Sequence, residues 1–287
     1  MLIDVGGGPI DYSLTAAEKV SEQLPCLVFL HEGLGSVALW RGFPDAVRAA
    51  CGGPAMLVYS RHGYGRSMVV PPPRSTDYMH REAQVVLPDL LSTLGIDRAV
   101  LVGHSDGASI ALIHAGSGHP VSAIVAMTPH VFVEDISLVG ARAARSAFAT
   151  TDLATRLGRY HDDVSATFLG WNDVWLSEEF RRWNIEAFLP SISAPVLLIQ
   201  GDADEYGTLA QLDAIQQGVT GPCERLVLTG VGHAVQAVQA GQAGQAGGPA
   251  AVVERIADFL RRNVGGPASE ASSGQTIVWP PPAATRL

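Results

Sequence analysis

The chain has 287 residues, of which 47% are hydrophobic and 16% charged, with a formal net charge of −9. That length suits one large α/β domain with an insertion or two small domains, and that composition favours a buried core over a disordered chain. The acidic balance and the lack of any Lys or Arg run exclude the basic footprint that nucleic acid or an anionic membrane surface requires.

The three cysteines, Cys26, Cys51 and Cys223, have no metal-ligand spacing, which argues against a disulfide scaffold or a zinc site. Cys26 and Cys223 fall at predicted strand starts, where a buried, inert thiol is expected. The first residues, Met1 to Val5, lack the basic and apolar regions of a signal peptide. No stretch approaches the roughly 18 consecutive apolar residues of a membrane helix. A cytoplasmic protein is expected, monomer or homodimer, with no membrane partner and no metal or other cofactor.

In chain order, Leu2–Val5 and Ile10–Leu14 read as short strands around the turn cluster Gly6-Gly7-Gly8-Pro9. Cys26–Leu30 is a continuous apolar run, the mark of a central parallel strand, and ends in His31-Glu32-Gly33-Leu34. A helix is predicted over Trp40–Ala50 and a strand over Ala55–Tyr59, followed by Gly63-Tyr64-Gly65-Arg66-Ser67. An amphipathic helix spans Tyr78–Leu94, with Pro88 as its kink. The strand Ala99–Val102 runs into Gly103-His104-Ser105-Asp106-Gly107 and then into a helix from Ala108. Val121–Met127 is a further strand.

Between Val131 and Leu189 the pattern turns helical and aromatic, with Trp171, Trp175 and Trp183 among the chain's five tryptophans. The strand Pro195–Ile199 ends at Gly201-Asp202-Ala203-Asp204-Glu205. A helix is predicted over Thr208–Gln217, a strand over Arg225–Leu228 ending at Gly232-His233, and a last helix over Pro249–Asn263. Ala234–Gly248 is a low-complexity loop, and Gly265–Leu287 reads as a disordered tail. Strands alternating with helices predict an α/β fold: a mostly parallel sheet with helices on both faces. The expected division is core 1–130, helical cap 131–189, core 190–263 and tail 264–287. Each motif directly follows a predicted strand, where sites form in such sheets.

The central pentapeptide is G-x-S-x-G in a strand–turn–helix setting, which a nucleophile elbow needs. Ser105 is the candidate nucleophile. A serine hydroxyl needs a base, and the base an orienting carboxylate. His233, after the last strand, is the candidate base. Asp204 is the candidate acid, with Asp202 and Glu205 as alternatives. Backbone N–H groups of Asp106 and of Gly33 or Leu34 are candidates for an oxyanion hole. Trp171, Trp175 and Trp183 are candidates for an apolar pocket, with packing of the helices as the alternative for each. His130, Glu134 and His161 are candidate polar substrate contacts, with packing or solvated roles as alternatives.

These motifs, His31-Glu32-Gly33, Gly63–Ser67, Gly103–Gly107, Gly201–Asp204 and Gly232-His233, resemble in order the α/β-hydrolase superfamily, in its branch with a helical cap between the sixth and seventh strands. Pro129–Asp135 and Gly170–Trp175 resemble one bacterial subgroup of it. The resemblance spans about residues 1–263 and implies an enzyme similar to carboxylesterases and ring-cleavage-product C–C hydrolases. Many relatives carry His-Gly where this chain has His31-Glu32, so the Glu32 side chain is expected to point away from a developing oxyanion. The first expectation is a cofactor-free serine hydrolase of a small-molecule ester or thioester, acting through an acyl-enzyme on Ser105. A C–C bond hydrolase is the alternative chemistry. A non-catalytic ligand-binding protein, or a lyase or oxygenase on the same scaffold, are the alternatives of other classes.

Overall fold

A computed structural model of the chain describes residues 1–19, 23–236 and 248–265. Among these, β1 (Leu2–Val5), β2 (Gly8–Thr15), β3 (Cys26–Leu30), β4 (Met56–Tyr59), β5 (Ala99–His104), β6 (Ala123–Met127), β7 (Val196–Gly201) and β8 (Cys223–Leu228) form one sheet. Its order is β1-β2-β4-β3-β5-β6-β7-β8. The strands from β4 to β8 in that order pair in parallel, while β1 and β2 are antiparallel to each other and β2 to β4. Strand β2 begins at Gly8, so only Gly6 and Gly7 of the predicted turn cluster make the turn.

The parallel strands are continuously apolar because helices cover both faces of the sheet. Successive side chains point to opposite faces. In β3, Val28 and Leu30 join one core cluster, and Leu27 and Phe29 the other. The helices are α1 (Phe43–Ala50), α2 (Tyr78–Arg81), α3 (Leu87–Thr93), α4 (Asp106–Gly116), α5 (Asp135–Thr150), α6 (Leu153–Leu157), α7 (Val164–Leu176), α8 (Ala210–Gly218) and α9 (Pro249–Val264). The amphipathic helices α1 and α9 cover one face with Phe43, Val47, Val252, Ile256 and Phe259. The helices α2, α3 and α4 belong to the other face, and α4 is buried along nearly its whole length.

Three predicted helices are redrawn. Tyr78–Leu94 contains a π-helical turn, Glu82–Val86, between α2 and α3. Pro88 has no N–H to give, and its ring crowds the carbonyl four residues back, so the preceding turn widens. At Trp40 a 3₁₀ turn, Ala38–Trp40, comes first, and α1 starts only after Gly42 with Pro44 in its first turn. The helix expected from Thr208 starts at Ala210. Of the predicted loop Ala234–Gly248, residues 237–247 lie outside the described residues, as do residues 266–287 of the tail. Val264 belongs to α9 rather than to the tail.

Between β6 and β7 the chain carries α5, α6 and α7. A bridge from Phe132 to Asn184 joins the two ends of this insertion. Inside it, fully buried Asn172 on α7 donates to the Ala141 carbonyl at 2.8 Å and accepts from Arg145 Nε at 2.6 Å, locking α7 to α5. Phe148 stacks on Phe168 with ring centroids 3.9 Å apart.

Strand order reverses around β3. The chain passes from β3 to β4 on one side, then to β5 on the other. Such a reversal leaves a crevice beyond the carboxyl ends of the strands. The loops after β3 and β5, with His31–Gly35 and Ser105, both enter that crevice.

Candidate active site

Ser105 sits between β5 and α4 with φ 53° and ψ −119°. A non-glycine residue in that region is strained, and the strain persists only where the surroundings fix it. Its N–H donates to the Met127 carbonyl at 2.9 Å, and its own carbonyl accepts from Ala108 and Ser109. The flanking glycines are needed for space. A Cβ on Gly107 would run into the carbonyls of Leu30 and His31, and one on Gly103 into the backbone of Gly107 and Ala108. The close approach of β3, β5 and α4 therefore requires both.

His233 and Asp204 meet from the loops after β8 and β7. His233 Nδ1 lies 2.8 Å and 3.0 Å from the two Asp204 carboxylate oxygens. Burial alone would raise the Asp204 pKa, but the hydrogen bond and charge of His233 outweigh it and hold it below the ordinary value. The Tyr206 N–H adds a further hydrogen bond to Asp204 Oδ1 at 2.8 Å. The rival acids have other partners. Asp202 accepts from the Gly230 N–H at 2.6 Å, and Glu205 from the His233 N–H at 3.0 Å. All three acids thus brace the His233 loop, and only Asp204 reaches the ring. Ser105 and His233 line one cleft of about 100 Å³. The Ser105 hydroxyl makes no hydrogen bond to His233 among the described residues.

Gly33 and Leu34 line the same cleft. The N–H groups of Gly33, Leu34 and Asp106 make no hydrogen bond among the described residues. Asp106 opens α4, whose first N–H groups have no intrahelical acceptor. Its side chain, almost fully buried, turns the other way, accepting the Tyr78 hydroxyl at 2.6 Å and standing 3.6 Å from Arg61 Nη2.

The loop after β3 is held from below and from the side. The Arg61 N–H donates to His31 Nε2 at 3.0 Å, which leaves Nδ1–H to donate to the Glu32 carbonyl at 2.7 Å. Burial, then the charge of Arg61, pushes the His31 pKa well down, so this ring stays neutral. Glu32 lines the cleft, but its carboxylate is directed to His104 Nδ1, 3.6 Å away. Burial raises the Glu32 pKa, yet the neighbouring His104 brings it down to about 2. His104 Nε2–H in turn donates to the His233 carbonyl at 3.0 Å.

Of the candidate substrate contacts, His130, Trp171 and Trp175 line the cleft, and Trp171 packs directly on Gly33. His130 donates through Nε2 to the Tyr206 carbonyl at 3.1 Å, and burial lowers its pKa. Trp183, Glu134 and His161 are not part of the lining. Trp183 packs on Phe180, with centroids 5.3 Å apart. Glu134 accepts from the Thr208 N–H and hydroxyl at 2.9 and 2.7 Å. His161 accepts the Gly65 N–H at 2.9 Å and donates to the Leu34 carbonyl at 3.0 Å, tying the insertion to two loops. Tyr206 lines the cleft with its ring 4.8 Å from His233 and was missed in the sequence, though it stands two residues past Asp204. Among the described residues no group of three or more His, Cys, Asp or Glu could hold a metal ion. No helix among them is long and apolar enough to cross a membrane.

A mostly parallel eight-stranded sheet with a serine on a strained strand–helix turn, facing a histidine–aspartate pair, defines the class of α/β hydrolases. The model of the alpha/beta hydrolase family matches residues 27–243. The chain belongs to that family. Solved structures with this fold include the enol-lactonase from Burkholderia xenovorans LB400, with a TM-score of 0.66 and 20% identity over 91% of this chain and 99% of that one. A thermophilic esterase from Thermogutta terrifontis matches with a TM-score of 0.64 and 18% identity over 92% and 99%. The meta-cleavage product hydrolase from Pseudomonas fluorescens IP01 matches with 0.64 and 15% over 91% and 97%. No curated protein sequence matches the chain.

Proposed function

We propose that the chain is a serine hydrolase that cleaves a small-molecule ester or thioester through an acyl-enzyme on Ser105. The observation that carries this reading is the Asp204–His233 pair at 2.8 Å, opening with Ser105 onto one cleft. Asp204 holds Nδ1 of His233 and so leaves Nε2 to face the nucleophile. Ser105 Oγ attacks the substrate carbonyl carbon while His233 takes its proton. The carbonyl oxygen gains negative charge and accepts from the N–H groups of Asp106 and of Gly33 or Leu34. His233 then gives its proton to the leaving alcohol or thiol, the tetrahedral centre collapses, and Ser105 keeps the acyl group. Water, deprotonated by His233, attacks the acyl carbon, releases the acid and returns the proton to Ser105. A cleft of about 100 Å³ walled by Trp171, Trp175, Tyr206 and Leu34 favours a small, largely apolar acyl group.

The test is labelling of the folded protein with a fluorophosphonate, followed by peptide mapping. Labelling at Ser105 in the wild type, and none in Ser105→Ala, is the expected result. Unlabelled wild-type protein, or labelling that persists in Ser105→Ala, would overturn the reading.

A further inference from the structure

The chain turns sharply beside Ser105, where the Gly35 N–H donates to the Glu32 carbonyl at 3.1 Å. Gly33 and Leu34 are the central residues of this turn, and both line the cleft. A peptide unit is planar and trans, so its N–H points opposite to its carbonyl. The first unit of the turn joins the Glu32 carbonyl to the Gly33 N–H, and the last joins the Leu34 carbonyl to the Gly35 N–H. The unit between them carries the Leu34 N–H and is hinged on both. It keeps its direction only while both flanking carbonyls are held.

The two carbonyls are held from different parts of the molecule. That of Glu32 accepts from His31 Nδ1 at 2.7 Å and from Arg61 Nη2 at 2.9 Å, both buried in the sheet core. That of Leu34 receives one hydrogen bond among the described residues, from His161 Nε2 at 3.0 Å. His161 lies between α6 and α7, in the insertion. The outer end of the turn is therefore fastened by a segment more than a hundred residues away in sequence.

The surroundings of His161 suit it to this task. Its Nδ1 accepts the Gly65 N–H at 2.9 Å, which leaves the proton on Nε2, the atom facing Leu34. The next residue returns the bond, as the Asp162 N–H donates to the Gly65 carbonyl at 3.0 Å. The ring is 5% exposed, and burial lowers its pKa, so it stays neutral. Helix α7 grips the same loops. The Thr167 hydroxyl donates to the Gly63 carbonyl at 2.7 Å, and the Trp171 ring lies so close over Gly33 that a Cβ there would overlap it. His161 does not line the cleft, so substrate does not meet it.

We propose that His161 is a positioning residue that fixes the Leu34 end of this turn, and through it the N–H groups that receive the oxyanion. The insertion then sets the rate of the chemical step as well as walling the cleft. This rests on the reaction proposed for Ser105 and adds to it a residue outside the substrate's reach.

The test compares wild type, His161→Leu, His161→Gln and His161→Asn by kcat and KM on 4-nitrophenyl acetate, by the rate of fluorophosphonate labelling, and by Tm. Leucine loses both hydrogen bonds, glutamine keeps a donor and an acceptor at similar reach, and asparagine is too short to span Gly65 and Leu34. His161→Leu should lower kcat and the labelling rate by about tenfold or more, with KM within about threefold. His161→Asn should show the same loss and serves as the reading if the leucine variant does not fold. His161→Gln should recover kcat to within about threefold of wild type. The proposal is overturned if the leucine or asparagine variant loses Tm but keeps kcat, if the loss falls on KM instead, or if glutamine is as impaired as leucine. Wild-type protein that neither hydrolyses the ester nor takes the label would overturn the Ser105 reading and this inference with it. An active wild type with unaffected variants overturns this inference alone.

Discussion

Ser105 is fixed by backbone packed on backbone, whereas His233 is fixed by side chains reaching to a loop. At the Ser105 turn, β3, β5 and α4 approach so closely that two glycines are required, and the serine is held in a strained conformation. At the His233 loop, Asp202 holds the Gly230 N–H, Glu205 the His233 N–H, and Asp204 the ring, while His104 holds the carbonyl. The difference teaches where damage should appear. Changes to the glycines of the turn act through the fold, and changes at the His233 loop act through orientation while the fold survives.

Substitutions break this comparison into its parts. Gly107→Ala drives a Cβ into the Leu30 and His31 carbonyls and should cost more than about 4 kcal/mol, read as a lost or collapsed unfolding transition. Ser105→Ala adds no bulk. It should leave stability within about 0.5 kcal/mol and lower kcat on the best ester by about 10⁶-fold. Asp204→Asn should lower kcat by about 10⁴-fold while the protein still folds, with a lower melting temperature because the stabilising carboxylate is lost. Asp202→Asn and Glu205→Gln, which hold only backbone N–H groups, should lower kcat by about tenfold. A Glu205→Gln enzyme as impaired as Asp204→Asn would reassign the orienting acid.

The same contrast explains what the sequence made legible. The turn is contiguous: strand, pentapeptide and helix lie within one short stretch, so Gly103–Gly107 named its own geometry. The apolar runs of β3 to β7 likewise identified a sheet buried on both faces. The His233 loop had to be assembled from order along the chain, and a carboxylate's direction is not written in a run such as Asp202-Ala203-Asp204-Glu205. Tyr206 was missed for that reason, since only the fold turns its ring toward His233. His161 and Glu134 were singled out by chemistry, but their partners lie in segments distant in sequence. The π-helical turn before Pro88 depends on how the chain relieves one clash, which periodicity does not encode.

Acid pH sharpens the comparison, because side-chain fastenings titrate and backbone packing does not. Burial lowers the pKa values of His31, His161 and His114, the last to about 4 from 6.5. The unfolded chain binds these protons more readily than the folded one, so stability is full above about pH 6.5 and falls as pH drops toward 4. His114 alone should contribute on the order of 3 kcal/mol to that loss. The depressed Asp204 carboxyl adds stability above its ordinary value of 3.8, which is lost only at lower pH still. Urea unfolding midpoints at a series of pH values check this. A midpoint that stays flat from neutral pH to pH 4 would contradict neutral buried rings at these sites.

The smallest expected effect separates fastening from substrate contact at Glu134. Besides the two bonds from Thr208, its carboxylate accepts from Gln211 Nε2 at 2.8 Å, and with Ser137 it forms the capping box that opens α5. Burial raises its pKa, but the hydrogen bonds from Gln211 and Thr208 outweigh this and lower it, so the group is anionic at neutral pH. Removing it leaves the helix start uncapped and the Thr208 N–H unpaired. Glu134→Ala should therefore cost about 1–2 kcal/mol in unfolding free energy. That corresponds to a fall in Tm of roughly 2–8 °C for a chain of this size. The cleft lining does not include Glu134, so KM for a small ester should change by less than about threefold, since no substrate-binding interaction is removed. A large rise in KM with an unchanged Tm would reverse the assignment and return Glu134 to the substrate's side of the wall.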